Sequence, residues 1–164
     1  MLKWIMCILC ISLSACITED EEMDDGKNLV VGDRIPSFSI VMNDGSRVED
    51  EDLLGKVSLI VFFNTACKDC QQELPVLQRF YEAFPQYPLL CISREESAVS
   101  IAHYWEQASF TMPYSVQEDR KIFQLFASQT IPRIYVVDEE GIIRMIFTDN
   151  PLASYDDLVK AVRK

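Results

Sequence analysis

Apolar runs and amphipathic stretches alternate along this chain and predict strands that alternate with helices. Residues 59–63, 89–92 and 133–137 are short, continuous apolar runs of the kind found in strands buried on both faces. Apolar side chains elsewhere recur at spacings of three and four, which predicts amphipathic helices. We expect helices over about 67–84, 93–107, 118–127 and 155–163. This order is typical of an α/β domain whose mixed sheet has helices on both faces.

Turn residues predict a hairpin ahead of the first buried strand. Residues 38–42 form its first strand, the sequence Asn-Asp-Gly at 43–45 is a strong turn signal, and residues 47–48 begin the return strand. A short helical turn is then expected over 50–54, ended by Gly55. The remaining short elements are an extended piece over 112–116 and a strand over 142–148 that follows a turn at 138–141. The hairpin is therefore an N-terminal extension of the central sheet.

Composition and charge limit the classes of protein. The chain has 164 residues, of which 49% are hydrophobic and 25% charged, enough for one domain with a proper core and a short extension. Its formal net charge of -11 argues against nucleic acid as a partner, because phosphates would be repelled. The acidic surface otherwise indicates only solubility.

The first residues carry a targeting signal. Residues 1–15 contain one basic side chain, Lys3, and an apolar run too short to anchor stably across a bilayer. The sequence Leu-Ser-Ala-Cys at 13–16 resembles a bacterial lipobox. That resemblance implies a signal peptide over 1–15, cleavage before Cys16 and lipid on the Cys16 thiol, which would then be unavailable for redox chemistry. An uncleaved signal anchor is the alternative.

An acidic run over residues 18–25 follows and has no apolar periodicity. It predicts a disordered tether over 16–28 that joins the lipid to a domain over 29–164. The run also resembles the export signal of Bacteroidetes lipoproteins, although a solvated spacer would have the same composition. We therefore expect a lipid-anchored protein of the cell envelope, at the outer membrane, facing the periplasm or the outside.

Two cysteines mark the junction between the first buried strand and the helix after it. Cys67 lies at the predicted helix start, where unpaired backbone N–H groups and the helix dipole favour thiolate over thiol. Cys70 follows three positions later on nearly the same face and can close a disulfide with Cys67. We therefore expect Cys67 to be the nucleophile and Cys70 the resolving thiol. A static disulfide or half of a metal site is the alternative.

The motif around this pair resembles a known family. Cys67-x-x-Cys70-x-x-Glu73-x-Pro75 follows a strand, Thr-Ile-Pro precedes another at 130–132, and the lead-in at 30–38 also fits. These features are similar to the TlpA/ResA-like envelope thiol-disulfide oxidoreductases of the thioredoxin superfamily. The resemblance implies a thioredoxin-like fold and exchange with protein thiols and disulfides, with no cofactor and no metal. Reduction outside the cytoplasm would also need a membrane electron donor, which the sequence does not name.

The resemblance also implies roles for three further residues. Pro132 would be a cis proline against the cysteine pair, which leaves the Ile131 backbone free to pair with a substrate segment. Glu73 would transfer protons, because Val61 occupies the strand position where thioredoxins have a buried acid. An exposed helix charge is the alternative for Glu73. Ala66 stands where the family usually has tryptophan, which bears on the substrate surface.

Other functions are weaker fits to the sequence. A thiol peroxidase would have threonine three residues before its reactive cysteine, where this chain has Asn64. A thioredoxin-fold module that binds a metal or a partner without turnover stays open. His103 is interpreted as an ordinary surface or packing residue, and Cys91 as a buried, inert thiol. We predict a disulfide reductase that acts on proteins.

Overall fold

The computed structural model describes residues 28–163. The predicted signal peptide, the lipid on Cys16 and the acidic run therefore lie outside the described residues. Within 28–163, no helix combines the length and apolar character needed to cross a membrane.

The described chain alternates strands and helices in the predicted manner. The strands are β1 (Ser39–Val41), β2 (Arg47–Glu49), β3 (Ser58–Phe63), β4 (Leu89–Ser93), β5 (Tyr114–Ser115), β6 (Arg133–Val137) and β7 (Ile143–Phe147). The helices are α1 (Lys68–Ala83), α2 (Ala98–Ala108), α3 (Lys121–Gln124) and α4 (Tyr155–Val162), and a 3-10 helix covers Asp50–Leu53.

The strands form one mixed sheet and one hairpin. Five strands lie in the order β5-β4-β3-β6-β7, with β3, β4 and β5 parallel and with β6 and β7 each antiparallel to its neighbours. Strands β1 and β2 pair separately, and a bridge from Met42 to Ser115 docks this hairpin beside β5. The predicted α/β class, mixed sheet and N-terminal hairpin are confirmed. The predicted turn is confirmed too, with Gly45 in the left-handed region at φ 85°.

Strand β3 is the centre of the core. All six of its residues are buried, and its side chains alternate between the two faces of the sheet. Phe62 packs against Phe123 and Phe126, with ring centroids 5.4 and 5.0 Å away, whereas Phe63 packs against Trp105 of α2 at 5.0 Å. Burying each such aromatic side chain stabilises the fold by about 1.5–3 kcal/mol. Apolar packing on both faces therefore fixes the end of β3 from which the cysteine loop departs.

The predicted start of α2 is wrong. Ser93 does not open α2; it is the last residue of β4, and its hydroxyl donates to the Gln117 carbonyl. The helix is instead capped by Ser97, whose hydroxyl accepts a hydrogen bond from the Ser100 N–H. Both serines have the same capping chemistry, so the pairing of β4 with β3 decides between them.

Helix α3 is also shorter than predicted. Residues 118–127 were expected to be helical, but only Lys121–Gln124 are. Asp119 delays the start, because its carboxylate accepts from the Lys121 N–H. At the other end the Phe126 carbonyl accepts from the Leu29 N–H and the Tyr135 hydroxyl. The N–H groups of residues 125–127 still donate back to Ile122 and Phe123, but the Phe126 carbonyl is used by these tertiary contacts, so the helix does not continue.

Strand register brings three chain segments to one edge of the sheet. Phe63 at the end of β3 lies opposite Ser93 at the end of β4, and Phe62 lies opposite Arg133 at the start of β6. The residues that follow β3, follow β4 and precede β6 therefore meet. These segments contain the cysteine pair, Arg94 and the Ile131-Pro132 bond.

Candidate active site

Cys67 occupies the N-cap of α1, as predicted. Its Sγ accepts a hydrogen bond from the Cys70 N–H at 3.4 Å and is 3.7 Å from the Ile131 carbonyl oxygen. The side chain is half-buried. The sulfur thus lies between the N-terminus of a 16-residue helix and the loop before β6.

Cys70 lies one turn further along and is fully buried. Burial raises the pKa of its thiol strongly, and a hydrogen bond with Cys67 acts in the same direction. Both residues are free thiols in this structure. The prediction that Cys67 is the more exposed sulfur is therefore confirmed, and this exposure matches a pair in which one thiol reacts first.

A buried glutamate holds the loop that leads into the cysteines. Glu96 is 9% exposed and accepts hydrogen bonds from both the N–H and the hydroxyl of Thr65, the N–H at 2.8 Å. Gln71 in the first turn of α1 donates to the Thr65 carbonyl at 2.7 Å. Sequence reasoning missed Glu96, because the contact joins residues 31 positions apart and no motif carries it.

Asn64 closes the same loop from the strand side. Its carbonyl oxygen Oδ1 accepts from the Ala66 N–H at 2.9 Å, and its Nδ2 donates to the Arg94 carbonyl at 3.1 Å. The Cys67 N–H then donates to the Asn64 backbone carbonyl at 3.1 Å. These hydrogen bonds pair the backbone polar groups between β3 and α1, so the turn that carries the Cys67 sulfur has a fixed conformation.

The segment before β6 has the predicted geometry. The Ile131-Pro132 peptide bond is cis. Thr130 precedes it in the left-handed region at φ 69°, a rare conformation for a β-branched residue. Ile131 is 8% exposed, and its carbonyl is turned toward the Cys67 sulfur. The cis bond itself is confirmed, whereas a role for Ile131 and Pro132 in binding substrate stays a prediction.

Glu73 is buried inside α1, which excludes the alternative of an exposed helix charge. It is 2% exposed, and neither carboxylate oxygen has a hydrogen-bond partner among residues 28–163. Burial raises its pKa to about 7, and the Ala153 backbone acts in the lowering direction without completing a hydrogen bond. Val61 is fully buried and apolar, so the strand before the cysteines holds no acid at that position.

An open groove runs beside the exposed cysteine. Its volume is about 470 Å³, and we call it the Cys67 groove. It is lined by Asn64, Ala66, Cys67, Arg94, Thr130 and Ile131. Ala66 is exposed here in place of a bulky aromatic residue. Sequence reasoning missed Arg94, because nothing in the motif indicates which residue after β4 faces the cysteine.

The other candidate residues lie outside this site. His103 is exposed on α2, as predicted for a surface residue. Cys91 is fully buried in β4 with its Sγ 3.8 Å from the Met112 sulfur, and burial raises the pKa of its thiol. Across residues 28–163 no three His, Cys, Asp or Glu side chains are grouped closely enough to hold a metal ion.

Comparison with known proteins agrees with this geometry. The thiol-disulfide oxidoreductase ResA of Bacillus cereus is 22% identical over 119 residues, which cover 71% of this chain and 69% of ResA. The thioredoxin domain of a thiol-disulfide oxidoreductase from Bacteroides vulgatus superposes with a TM-score of 0.70 at 23% identity, over 82% of this chain and 99% of that domain.

An exposed lipoprotein thioredoxin from Streptococcus pneumoniae superposes with a TM-score of 0.68 at 17% identity, over 78% of this chain and 98% of that one. These structures show that the fold is thioredoxin-like, as predicted. A match to the AhpC/TSA family extends over residues 31–146. Because that match covers more than half of the sequence, the chain belongs to the AhpC/TSA family.

Proposed function

We propose that this chain is a thiol-disulfide oxidoreductase that reduces protein disulfides through Cys67 and Cys70. The observation that carries the proposal is the unequal placement of two free thiols: Cys67 is half-exposed at a helix N-terminus, and Cys70 is buried one turn behind it. Two similar proteins are named thiol-disulfide oxidoreductases.

The reaction proceeds in two exchanges. The Cys67 thiolate attacks one sulfur of the substrate disulfide, and the other substrate sulfur leaves as a thiolate, which gives a mixed disulfide. Cys70 then loses its proton and attacks the Cys67 sulfur, which releases the second substrate sulfur. Two electrons pass from the protein to the substrate, and the protein ends with a Cys67–Cys70 disulfide.

Glu73 is the proton carrier in this proposal. Cys70 must be deprotonated before the second exchange, and its buried thiol has a strongly raised pKa. A carboxyl group with a pKa of about 7 can accept and return a proton near neutral pH. Glu73 lies one turn after Cys70 on the same helix, which supports this role.

Substrate binding is assigned to the segment before β6. Ile131 and Pro132 lie just outside the β3–β6 ladder, which begins at Arg133, and Ile131 lines the Cys67 groove. An extended substrate segment could pair with this backbone and present its disulfide to Cys67.

The proposal places the protein in the cell envelope, attached by lipid on Cys16. The lipobox-like sequence at 13–16 supports the anchor, and one structural relative is itself named a lipoprotein. A membrane partner would then supply the electrons, because a thiol pair outside the cytoplasm is otherwise oxidised. A Cys16→Ser variant should leave the membrane fraction with its redox activity intact; equal fractionation of both proteins would contradict the anchor.

Two other functions fit less well. A peroxidase is disfavoured by Asn64, which stands three residues before Cys67 where such an enzyme would have threonine. A non-catalytic module that binds a metal or a partner would need no proton carrier, yet a buried carboxylate lies one turn from the thiols. Metal content of the reduced protein separates this case from the enzyme.

The decisive experiment traps the intermediate. Cys70→Ala should accumulate mixed disulfides through Cys67, because the nucleophile remains and the resolving thiol is gone. Cys91→Ala is the matched control and should trap nothing. Faster alkylation of Cys70 than of Cys67 in the reduced protein would reverse the assigned order.

The direction of the reaction needs a second measurement. The reduction potential of the Cys67/Cys70 couple sets it, with about 30 mV equal to about 1.4 kcal/mol for this two-electron exchange. We expect a value near that of thioredoxin, about -270 mV. A value near that of a strong oxidant, about -120 mV, would overturn the reducing direction.

A further inference from the structure

Among residues 28–163, Arg94 is the one charged residue that lines the Cys67 groove. It follows Ser93, the last residue of β4, and its backbone carbonyl is held by the Asn64 side chain at 3.1 Å. Its charge acts on both Cys67 and Cys70. A substrate that presents a disulfide to Cys67 must therefore come within reach of the Arg94 guanidinium.

Arg94 has no anionic partner among residues 28–163. The ion pairs in this part of the chain join Lys121 to Asp119 and Arg144 to Asp138, and neither includes Arg94. The Arg94 Nε is buried and has no hydrogen-bond acceptor. The Arg94 side chain donates no hydrogen bond within residues 28–163, so its terminal Nη groups can bind an acceptor on a substrate.

A second arginine increases the local positive charge. The guanidinium carbons of Arg94 and Arg120 lie 5.3 and 5.6 Å from the centre of the same Phe123 ring. Arg120 donates to the Ser128 carbonyl at 2.9 Å, which leaves its charge uncompensated. Burial and the charge of Arg120 both lower the pKa of Arg94. The two like charges favour an anion near them.

Among the described residues, no nearby carboxylate forms an ion pair with Arg94 or Arg120. The chain has 26 acidic and 15 basic residues, so an arginine pair without a carboxylate partner is unexpected on composition alone. Glu96 accepts hydrogen bonds from Thr65, and Asp119 forms an ion pair with Lys121. Glu95 is exposed, and although its charge acts on Arg94, it makes no ion pair with it.

We infer that the Cys67 groove recognises a carboxylate on the substrate, supplied by an acidic residue next to the cysteine whose disulfide is reduced. This inference rests on the proposed function and adds the substrate class. Arg94 is the contact, because a guanidinium can donate two parallel hydrogen bonds to a carboxylate. Arg120 strengthens the local field without entering the groove lining.

The test uses three peptide disulfides that differ at one residue beside the cysteine: glutamate, glutamine or lysine. The reduced full chain is mixed with each peptide, and the rate of Cys67 attack is followed by stopped flow at low salt. We expect the glutamate peptide to react about fivefold faster than the glutamine peptide, the factor for a partly exposed charge pair of about 1 kcal/mol. The lysine peptide should be the slowest, and added salt should reduce the differences.

Arg94→Gln should abolish the difference between the glutamate and glutamine peptides. Arg47→Gln is the matched control, since Arg47 lies on the hairpin strand β2, and it should keep the wild-type preference. Alkylation by a neutral reagent in each variant reports any general change in Cys67 reactivity. Such a change would alter all three peptide rates by one factor and leave their ratio intact.

Two results would overturn the inference. Equal wild-type rates for the glutamate and glutamine peptides at low salt would show that the groove does not distinguish substrates by their charge. This result needs no variant. A preference that survives in folded Arg94→Gln would assign recognition to another residue. Failure to reduce any of the three peptides would instead contradict the proposed function.

Discussion

Two buried glutamates lie near the cysteine pair, and they differ in whether their carboxylates have hydrogen-bond partners. Glu96 follows β4 and accepts two hydrogen bonds from Thr65. Glu73 lies inside α1, is even less exposed, and has no hydrogen-bond partner in the described part of the chain. Each carboxylate oxygen of Glu96 accepts a hydrogen bond, whereas Glu73 is a buried acid whose pKa burial raises to about 7.

The difference shows how the surroundings of a carboxyl group determine its use. Hydrogen bonds from backbone and hydroxyl donors compensate a carboxylate for the water it loses, so Glu96 can fix the position of a loop. Without such donors, burial favours the neutral form, which can give up and regain a proton near neutral pH. We therefore expect Glu96 to contribute to structure and Glu73 to contribute to proton transfer.

The largest effect is expected for proton transfer at Glu73. Glu73→Gln should keep the fold and slow thiol-disulfide exchange by about 100-fold near pH 7, the size typical of a lost general acid or base. The measurement is the exchange rate, together with Cys67 alkylation, as a function of pH. Glu106→Gln on the exposed face of α2 is the matched control. Superimposable profiles for Glu73→Gln and wild type would show that Glu73 transfers no proton.

The next effect concerns stability at Glu96. Glu96→Ala leaves the N–H and the hydroxyl of buried Thr65 without an acceptor, so we expect a loss of about 2 kcal/mol in the free energy of unfolding. Urea unfolding at neutral pH measures it. Because the loop before Cys67 would loosen, Cys67 alkylation should change by a similar factor at every pH. A change in the shape of that pH profile would instead assign proton transfer to Glu96.

The smallest effect is the pH dependence of stability at Glu73. Its folded-state pKa of about 7 lies above its ordinary value of 4.5, so the folded protein holds a proton that the unfolded chain releases. The free energy of unfolding should therefore fall by up to about 1.4 kcal/mol per pH unit between about pH 4.5 and 7. Glu73→Gln should remove this fall and be the more stable protein at pH 8. Parallel wild-type and variant curves would contradict the buried, unpaired state of Glu73.

Local patterns were enough to predict the elements closest to the chemistry. The apolar run at 59–63 and the spacing after Cys67 predicted β3 and α1 within one residue or so, because each has a single consistent period. The cis bond before Pro132 and the burial of Glu73 required the family resemblance as well. Neither an X-Pro bond nor a glutamate in an amphipathic helix specifies these states by itself.

Contacts between distant segments could not be predicted in this way. Glu96 meets Thr65 and Arg94 meets the Cys67 groove only because β3 and β4 pair in parallel with Phe63 opposite Ser93. The same pairing keeps Ser93 in its strand and moves the start of α2 to Ala98. Strand register is a tertiary property, so the residues that follow the strands were the ones that the sequence left unassigned.

The contact between Asn28 and Ser128 has a consequence for how far the domain can reach from a membrane. Asn28 accepts a hydrogen bond from the Ser128 N–H at 3.0 Å, two residues before Thr130 of the Cys67 groove. Under the proposed anchor, residues 16–28 can span at most about 45 Å. The tether would therefore join the domain close to the segment that leads into the Cys67 groove. Such a protein would act on disulfides that lie close to the membrane to which it is anchored.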